Sequence, residues 1–283
     1  MTGLLLRLAA AIVMLAALAG GALYAAAPLI ERQMAFHPGR YDPQRPWTLP
    51  AETIDVDFAA ADDVRLHGWL LTAQPPRTGV TVLYLHGNAG TLANSIGDAQ
   101  YLQDRGFDVF LIDYRGYGRS AGTTESERTL ALDGAAAMRW LTDTRGLDPP
   151  TIALFGQSLG TTVAVDLAVA GPCRAMALVA PLASARWQAK SMALFAWLPD
   201  VFFDRLTSRF DTVGKIGGVR CPVLVVHGDR DRTIGEEQGR AVFDAAPAPK
   251  TLLIMPGRGH VLPLGRYGFG DEVVAFFKWP RGP

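Results

Sequence analysis

Excess charge of either sign is missing from this 283-residue chain, in which 27 Lys and Arg balance 27 Asp and Glu. No block of like charge occurs, which argues against nucleic acid as a partner and against an electrostatic membrane-binding patch. Cysteine is scarce: only Cys173 and Cys221 occur, and a CxxC redox pair is absent. Each cysteine precedes a strand-like run, and burial as a thiol is the expected outcome because bridge geometry is exacting. The five histidines are scattered and none has the clustered spacing of a structural metal site. No cofactor is implied. Internal repeats are lacking, as are low-complexity tracts beyond an alanine-rich start.

What the chain does have is apolar residues, 49% of the total, enough to bury the core of one large domain. They begin at once. Leu8 to Ile30 reads LAAAIVMLAALAGGALYAAAPLI without a charge. As a helix those residues would span about 34 Å, enough for a bilayer's hydrocarbon core. A cleaved signal peptide is the competing reading, with Arg7 as its basic flank and ALYAAA supplying small residues. The stretch is longer than a usual signal core and runs directly into ERQMAFHP. The expectation is therefore an uncleaved anchor over 1–30 and a separate domain over 31–283. A signal anchor of this kind sends the following domain outward, to an extracytoplasmic or periplasmic side. Secretion after cleavage is the alternative.

Beyond the proline-rich connector YDPQRPWTLP, ETIDVDF and VRLHGWLLTA flank the turn signal AAADD and predict an antiparallel hairpin. The pattern then changes. Nearly continuous apolar runs at 80–87, 107–116, 151–158, 175–181, 221–228 and 250–257 suit strands buried on both faces. Helix-like segments at 92–105, 126–145, 159–170, 235–246 and 270–278 separate or follow them. Alternation of this kind predicts an α/β fold with a mostly parallel central sheet flanked by helices. One interval, 181–220, is too long for a simple connection. Partly helical and aromatic, it is expected to form a lid.

The segment TIALFGQSLGTTVAV places Ser158 between Gly156 and Gly160. G-x-S-x-G by itself arises by chance in roughly one chain in ten of this length. Here it ends a buried strand and opens a helix, the context a nucleophile elbow needs. The glycines keep the strained turn free of side chains, and the helix N-terminus offers N–H groups to a developing oxyanion. Such a serine needs a base. His37 lies beside the anchor and His67 in the hairpin, while His86 and His227 close strands in HG, where a turn role is the simpler reading. His260, in the loop MPGRGHV after the last strand, would emerge at the same sheet edge as Ser158. An acid comes from VLVVHGDRDRTI, where Asp229 and Asp231 both lie just past a strand end. Either could instead serve only as a turn-former. The order serine, acid, histidine is that of the α/β-hydrolase fold, unlike the chymotrypsin and subtilisin orders.

Taken together, LYLHGNAG, DYRGYGRSAG, GQSLG, VLVVHGDRD and GRGHV resemble the α/β-hydrolase superfamily. More narrowly the chain is similar to its membrane-anchored serine hydrolases, a branch with protein depalmitoylases and monoacylglycerol-lipase-like enzymes. The resemblance implies Ser158 as nucleophile, His260 as base and Asp231 as acid, with Asp229 an ordinary turn residue. It implies that the backbone N–H groups of Asn88 and Leu159 form the oxyanion hole. His86, Asp113, Arg115 and Gly116 would shape the neighbouring turns. The expected activity is hydrolysis of carboxylic esters or thioesters of apolar acyl chains through an acyl-enzyme. A prolyl-oligopeptidase-type peptidase ranks below it, since no propeller domain or acidic motif for a substrate amino terminus is visible. A non-catalytic binding protein of the same fold would usually have lost a triad residue, and here all three are present.

Overall fold

A computed structural model of the chain describes residues 2–44 and 46–279. It opens with helix α1 (Thr2–Ala35), followed by strands β1 (His37–Pro38), β2 (Thr53–Ala59), β3 (Arg65–Leu71), β4 (Thr81–Leu85) and β5 (Ala89–Gly90). Next come α2 (Ile96–Gln103), β6 (Asp108–Asp113), α3 (Glu127–Arg139), β7 (Ile152–Gln157), α4 (Leu159–Ala170) and β8 (Met176–Val179). The long interval carries three short helices, α5 (Ala185–Ser191), α6 (Asp200–Phe203) and α7 (Thr212–Ile216). The chain closes with β9 (Val223–Gly228), α8 (Glu236–Ala245), β10 (Lys250–Met255) and α9 (Phe269–Lys278).

Eight strands form one sheet in the order β10-β9-β8-β7-β4-β6-β3-β2. Only β3 opposes the common direction: it pairs antiparallel with both β2 and β6, and every other pairing is parallel. Alternate residues of a strand feed opposite cores. Leu83 and Leu85 of β4 join the cluster under α3, α4, α7 and α8. Val82 and Tyr84 join the one under α2 and α9. Burial on both faces explains why these strands read as unbroken apolar runs. Cys173 and Cys221 are both buried in the first cluster.

Helix α1 is the longest element. It is apolar and long enough to cross a membrane. It does not stop at Ile30 but continues to Ala35, because its last turns dock on the domain. The Glu31 carboxylate accepts hydrogen bonds from the Thr207 and Ser208 backbone N–H groups, each 2.7 Å, and from the Thr207 hydroxyl at 3.0 Å. Tyr24 meets Phe202 edge-on at 5.9 Å. Residues 3–19, by contrast, are exposed on every side.

Candidate active site

The elbow is made by what cannot fit. Ser158 sits between β7 and α4 at φ +50°, ψ −117°, a sparsely populated conformation costing about 1–3 kcal/mol that only surrounding structure can hold. Its N–H donates to the Val179 carbonyl at 2.8 Å, and its carbonyl accepts from Thr161 N–H at 3.0 Å. A Cβ at Gly156 would lie 2.7 Å from the Gly160 carbonyl oxygen. One at Gly160 would collide with the Leu85 oxygen and come within 2.7 Å of that of His86. Neither glycine can therefore carry a side chain while α4 stays this close to β7 and to β4.

His260 reaches the same edge from the loop after β10. Its Nε2 accepts from the Ser158 hydroxyl at 3.0 Å, and its Nδ1–H donates to Asp231 Oδ2 at 2.7 Å. Asp229, the turn residue, also ties this loop down, because its carboxylate accepts the Gly257 N–H at 2.6 Å. Asp231 receives more donors than the sequence indicates. Its Oδ1 accepts the backbone N–H groups of Thr233 at 2.8 Å and Ile234 at 3.0 Å. Its Oδ2 also lies 3.3 Å from Nε2 of His227. That nitrogen carries the proton, since it donates to the Ile234 carbonyl at 2.9 Å. Burial works against the Asp231 carboxylate, yet the hydrogen bonds from His227, His260 and Ile234 hold its pKa well below the usual range. It stays ionised at neutral pH. His227 is thus a buried second donor to the acid rather than a turn residue, a role that its HG motif does not signal.

The loop after β4 brings Asn88 alongside. A Cβ at Gly87 would lie 3.5 Å from that of Ser158, so the loop passes directly over the serine. His86 Nδ1 donates to the Gly87 carbonyl at 2.7 Å. That carbonyl shares a trans peptide with the Asn88 N–H, so the two point in opposite directions. Fixing one therefore aims the other. The Asn88 side chain is turned away, its Oδ1 accepting from the His37 N–H and the Tyr117 hydroxyl, each at 3.0 Å. β1 pairs with β5 at His37↔Ala89, so the segment leaving α1 holds this loop in register. Leu159 is the first residue of α4, where N–H groups lack intrahelical acceptors.

The remaining polar residues brace the edge. His67 is buried between Asp113, 3.0 Å from its Nδ1, and Asp55, 2.8 Å from its Nε2, which ties the hairpin to β6. Asp113 also accepts the Leu92 N–H at 2.9 Å. Arg115 bridges Asp133 at 2.8 Å and Asp62 at 2.7 Å, and Gly116 makes its turn at φ +78°.

Comparison with known proteins gives the fold family. The family described as alpha/beta hydrolase fold matches residues 80–213. An uncharacterized protein of Mycobacterium tuberculosis is 38% identical over 213 residues, 75% of this chain and 73% of that protein. The chain belongs to the α/β-hydrolase fold family. Mouse alpha/beta hydrolase domain-containing protein 17C is 35% identical over 211 residues, 74% of this chain and 63% of the mouse protein. The esterase Pf2001 of Pyrococcus furiosus superposes with a TM-score of 0.68 at 23% identity, covering 86% of this chain and 98% of the esterase. At that identity the likeness is one of fold.

In this α/β-hydrolase the serine opens into a cavity of about 860 Å³. Ser158, Leu159, Asn88 and His260 form its floor. Met192, Phe195, Leu198 and Phe202 close it from the long interval between β8 and β9. A further wall is α1, through Leu23, Ala27, Ile30 and Met34. Sequence reasoning missed that wall, since nothing local ties an anchor to a catalytic edge.

Proposed function

We propose that the chain is a serine hydrolase that cleaves carboxylic esters or thioesters of apolar acyl chains. The observation that carries the reading is the hydrogen-bonded series Ser158–His260–Asp231 opening into a largely apolar cavity. His260 Nε2 takes the hydroxyl proton as Ser158 Oγ attacks the acyl carbonyl carbon. Asp231 keeps the proton of His260 on Nδ1 and stabilises the imidazolium. The Asn88 and Leu159 N–H groups receive the tetrahedral oxyanion, each donor contributing about 3 kcal/mol at the barrier. Collapse breaks the bond to the leaving oxygen or sulfur, which takes the proton from His260. Water, deprotonated by the same imidazole, then attacks the acyl-enzyme and frees Ser158. Helix α1 anchors the enzyme in a membrane, with the hydrolase domain on the extracytoplasmic side.

An acyl ester and thioester series, run on wild type and on Ser158→Ala in nanodiscs, tests the reaction. Turnover that rises with acyl length and vanishes in the variant is expected. Equal residual turnover in both proteins would refute it.

A further inference from the structure

The cavity wall supplied by α1 is unusual for a tether. Leu23, Ala27, Ile30 and Met34 follow one another at intervals of four, three and four residues, a single stripe along one face. That stripe is about 16 Å long at 1.5 Å per residue. Three of the four lie inside the uncharged run Leu8–Ile30. The same helix turns that line the cavity therefore belong to the stretch suited to lipid. Residues 3–19, exposed all round, give about 25 Å of free helix, slightly less than a hydrocarbon core. Some of the docked half is thus needed to complete a crossing.

The adjoining wall, from the 192–206 segment, has two apolar sides as well. Phe195, Leu198 and Phe202 face the cavity, while their neighbours Leu194, Trp197 and Val201 are exposed at 66%, 71% and 51%. Tyr24, stacked edge-on against Phe202 and covered by Arg205 at 5.1 Å, stands at the seam. Aromatic residues with a nearby cation mark the level of lipid headgroups. A water-facing lid has no reason to show this much apolar surface beside a membrane helix.

We propose that α1 is a wall of the acyl-binding cavity as well as an anchor, and that the substrate is the acyl chain of a bilayer lipid. The chain passes from the near leaflet between α1 and the 192–206 segment, without crossing water, and its carbonyl arrives at Ser158. This deepens the serine-hydrolase reading, and its chain selectivity rests on it. Residues 23, 27, 30 and 34 then set acyl-length preference, each buried methylene raising kcat/KM about fourfold, the equivalent of ~0.8 kcal/mol.

The test uses the full chain in phosphatidylcholine nanodiscs and has two arms. In the first, Ser158→Ala is irradiated with phosphatidylcholine carrying a diazirine next to the acyl carbonyl. Adducts on cavity-floor peptides bearing Leu159 or Leu182 are expected, and Ala27→Trp, which fills the wall, should lower them about tenfold. Adducts confined to residues 3–19 and the outside of 192–206 would overturn the proposal. In the second arm, Ala27→Trp in the active protein should lower hydrolysis of long-chain esters about tenfold relative to acetyl esters, read as the ratio of the two kcat/KM values within each folded protein. Ile30→Ala, a gentler change that enlarges the cavity, should shift the optimum to longer chains. Unchanged selectivity in both variants would overturn the proposal, and so would a preference for soluble acylated peptide over vesicle lipid. Lipid adducts on the floor of a protein that fluorophosphonate never labels would support the lipid-fed cavity and refute the hydrolase.

Discussion

Replacing Asp231 by asparagine changes one oxygen to an amide nitrogen, and the surroundings dictate which. Thr233 and Ile234 N–H groups, at 2.8 and 3.0 Å, both aim at Oδ1 and require an acceptor there. The amide NH2 is therefore forced to the Oδ2 side, where His260 Nδ1–H approaches to 2.7 Å and His227 Nε2–H to 3.3 Å. Two donors now face each other. His260 relieves the clash by moving its proton to Nε2, which presents a donor to Ser158 and removes the base. A wrong tautomer of this kind costs about 10⁴-fold in kcat, equivalent to roughly 5.4 kcal/mol at 1.36 kcal/mol per decade. The assay is kcat on a short acyl ester, with a thermal melt showing that Asp231→Asn remains folded. KM should change little, because the carboxylate lies behind the imidazole and away from substrate. A folded Asp231→Asn enzyme within about tenfold of wild type would refute the tautomer argument.

Three other changes report on neighbouring parts of the site. Gly160→Ala drives a methyl into the Leu85 and His86 carbonyl oxygens, backbone atoms that cannot yield without moving β4. It should lower Tm by about 2–12 °C, the range for overpacking by 1–3 kcal/mol, and an unchanged calorimetric melt would contradict the packing. His86→Phe releases the Gly87–Asn88 peptide and should reduce kcat about 10- to 100-fold at nearly constant KM, whereas unaltered steady-state kinetics would show that the donor is held by other means. Burial lowers the His86 pKa from its ordinary 6.5. The unfolded chain then takes up the proton first, so this group's stability contribution is complete above about 6.5 and is lost as pH falls toward the folded value. Between pH 7 and 5 the urea midpoint of wild type should therefore fall more than that of His86→Phe, and parallel curves would contradict the assignment.

Much of the fold could be read because its signals are local. Runs such as VTVLYL are buried on both faces and announce parallel strands without any partner in view. The elbow was equally legible, since Gly156 and Gly160 answer a steric demand made within five residues. His260 followed by elimination and Asp231 by resemblance. The illegible parts depend on distant chain. Helix α1 outlasts its apolar run because Glu31 finds Thr207 and Ser208, 176 and 177 residues away. His227 looked like a turn because nothing in HG shows that its ring is folded under Asp231. The long interval after Pro181 stood out by its length and aromatic content, but the helix it packs against did not.

The central claim is that Ser158 is an activated nucleophile, and fluorophosphonate labelling of the full chain tests it most directly. Mass spectrometry of the labelled protein should place the adduct on Ser158, with no labelling of Ser158→Ala and a greatly slowed rate in His260→Ala. A well-folded wild type that does not label, or that labels equally without His260, would contradict the account.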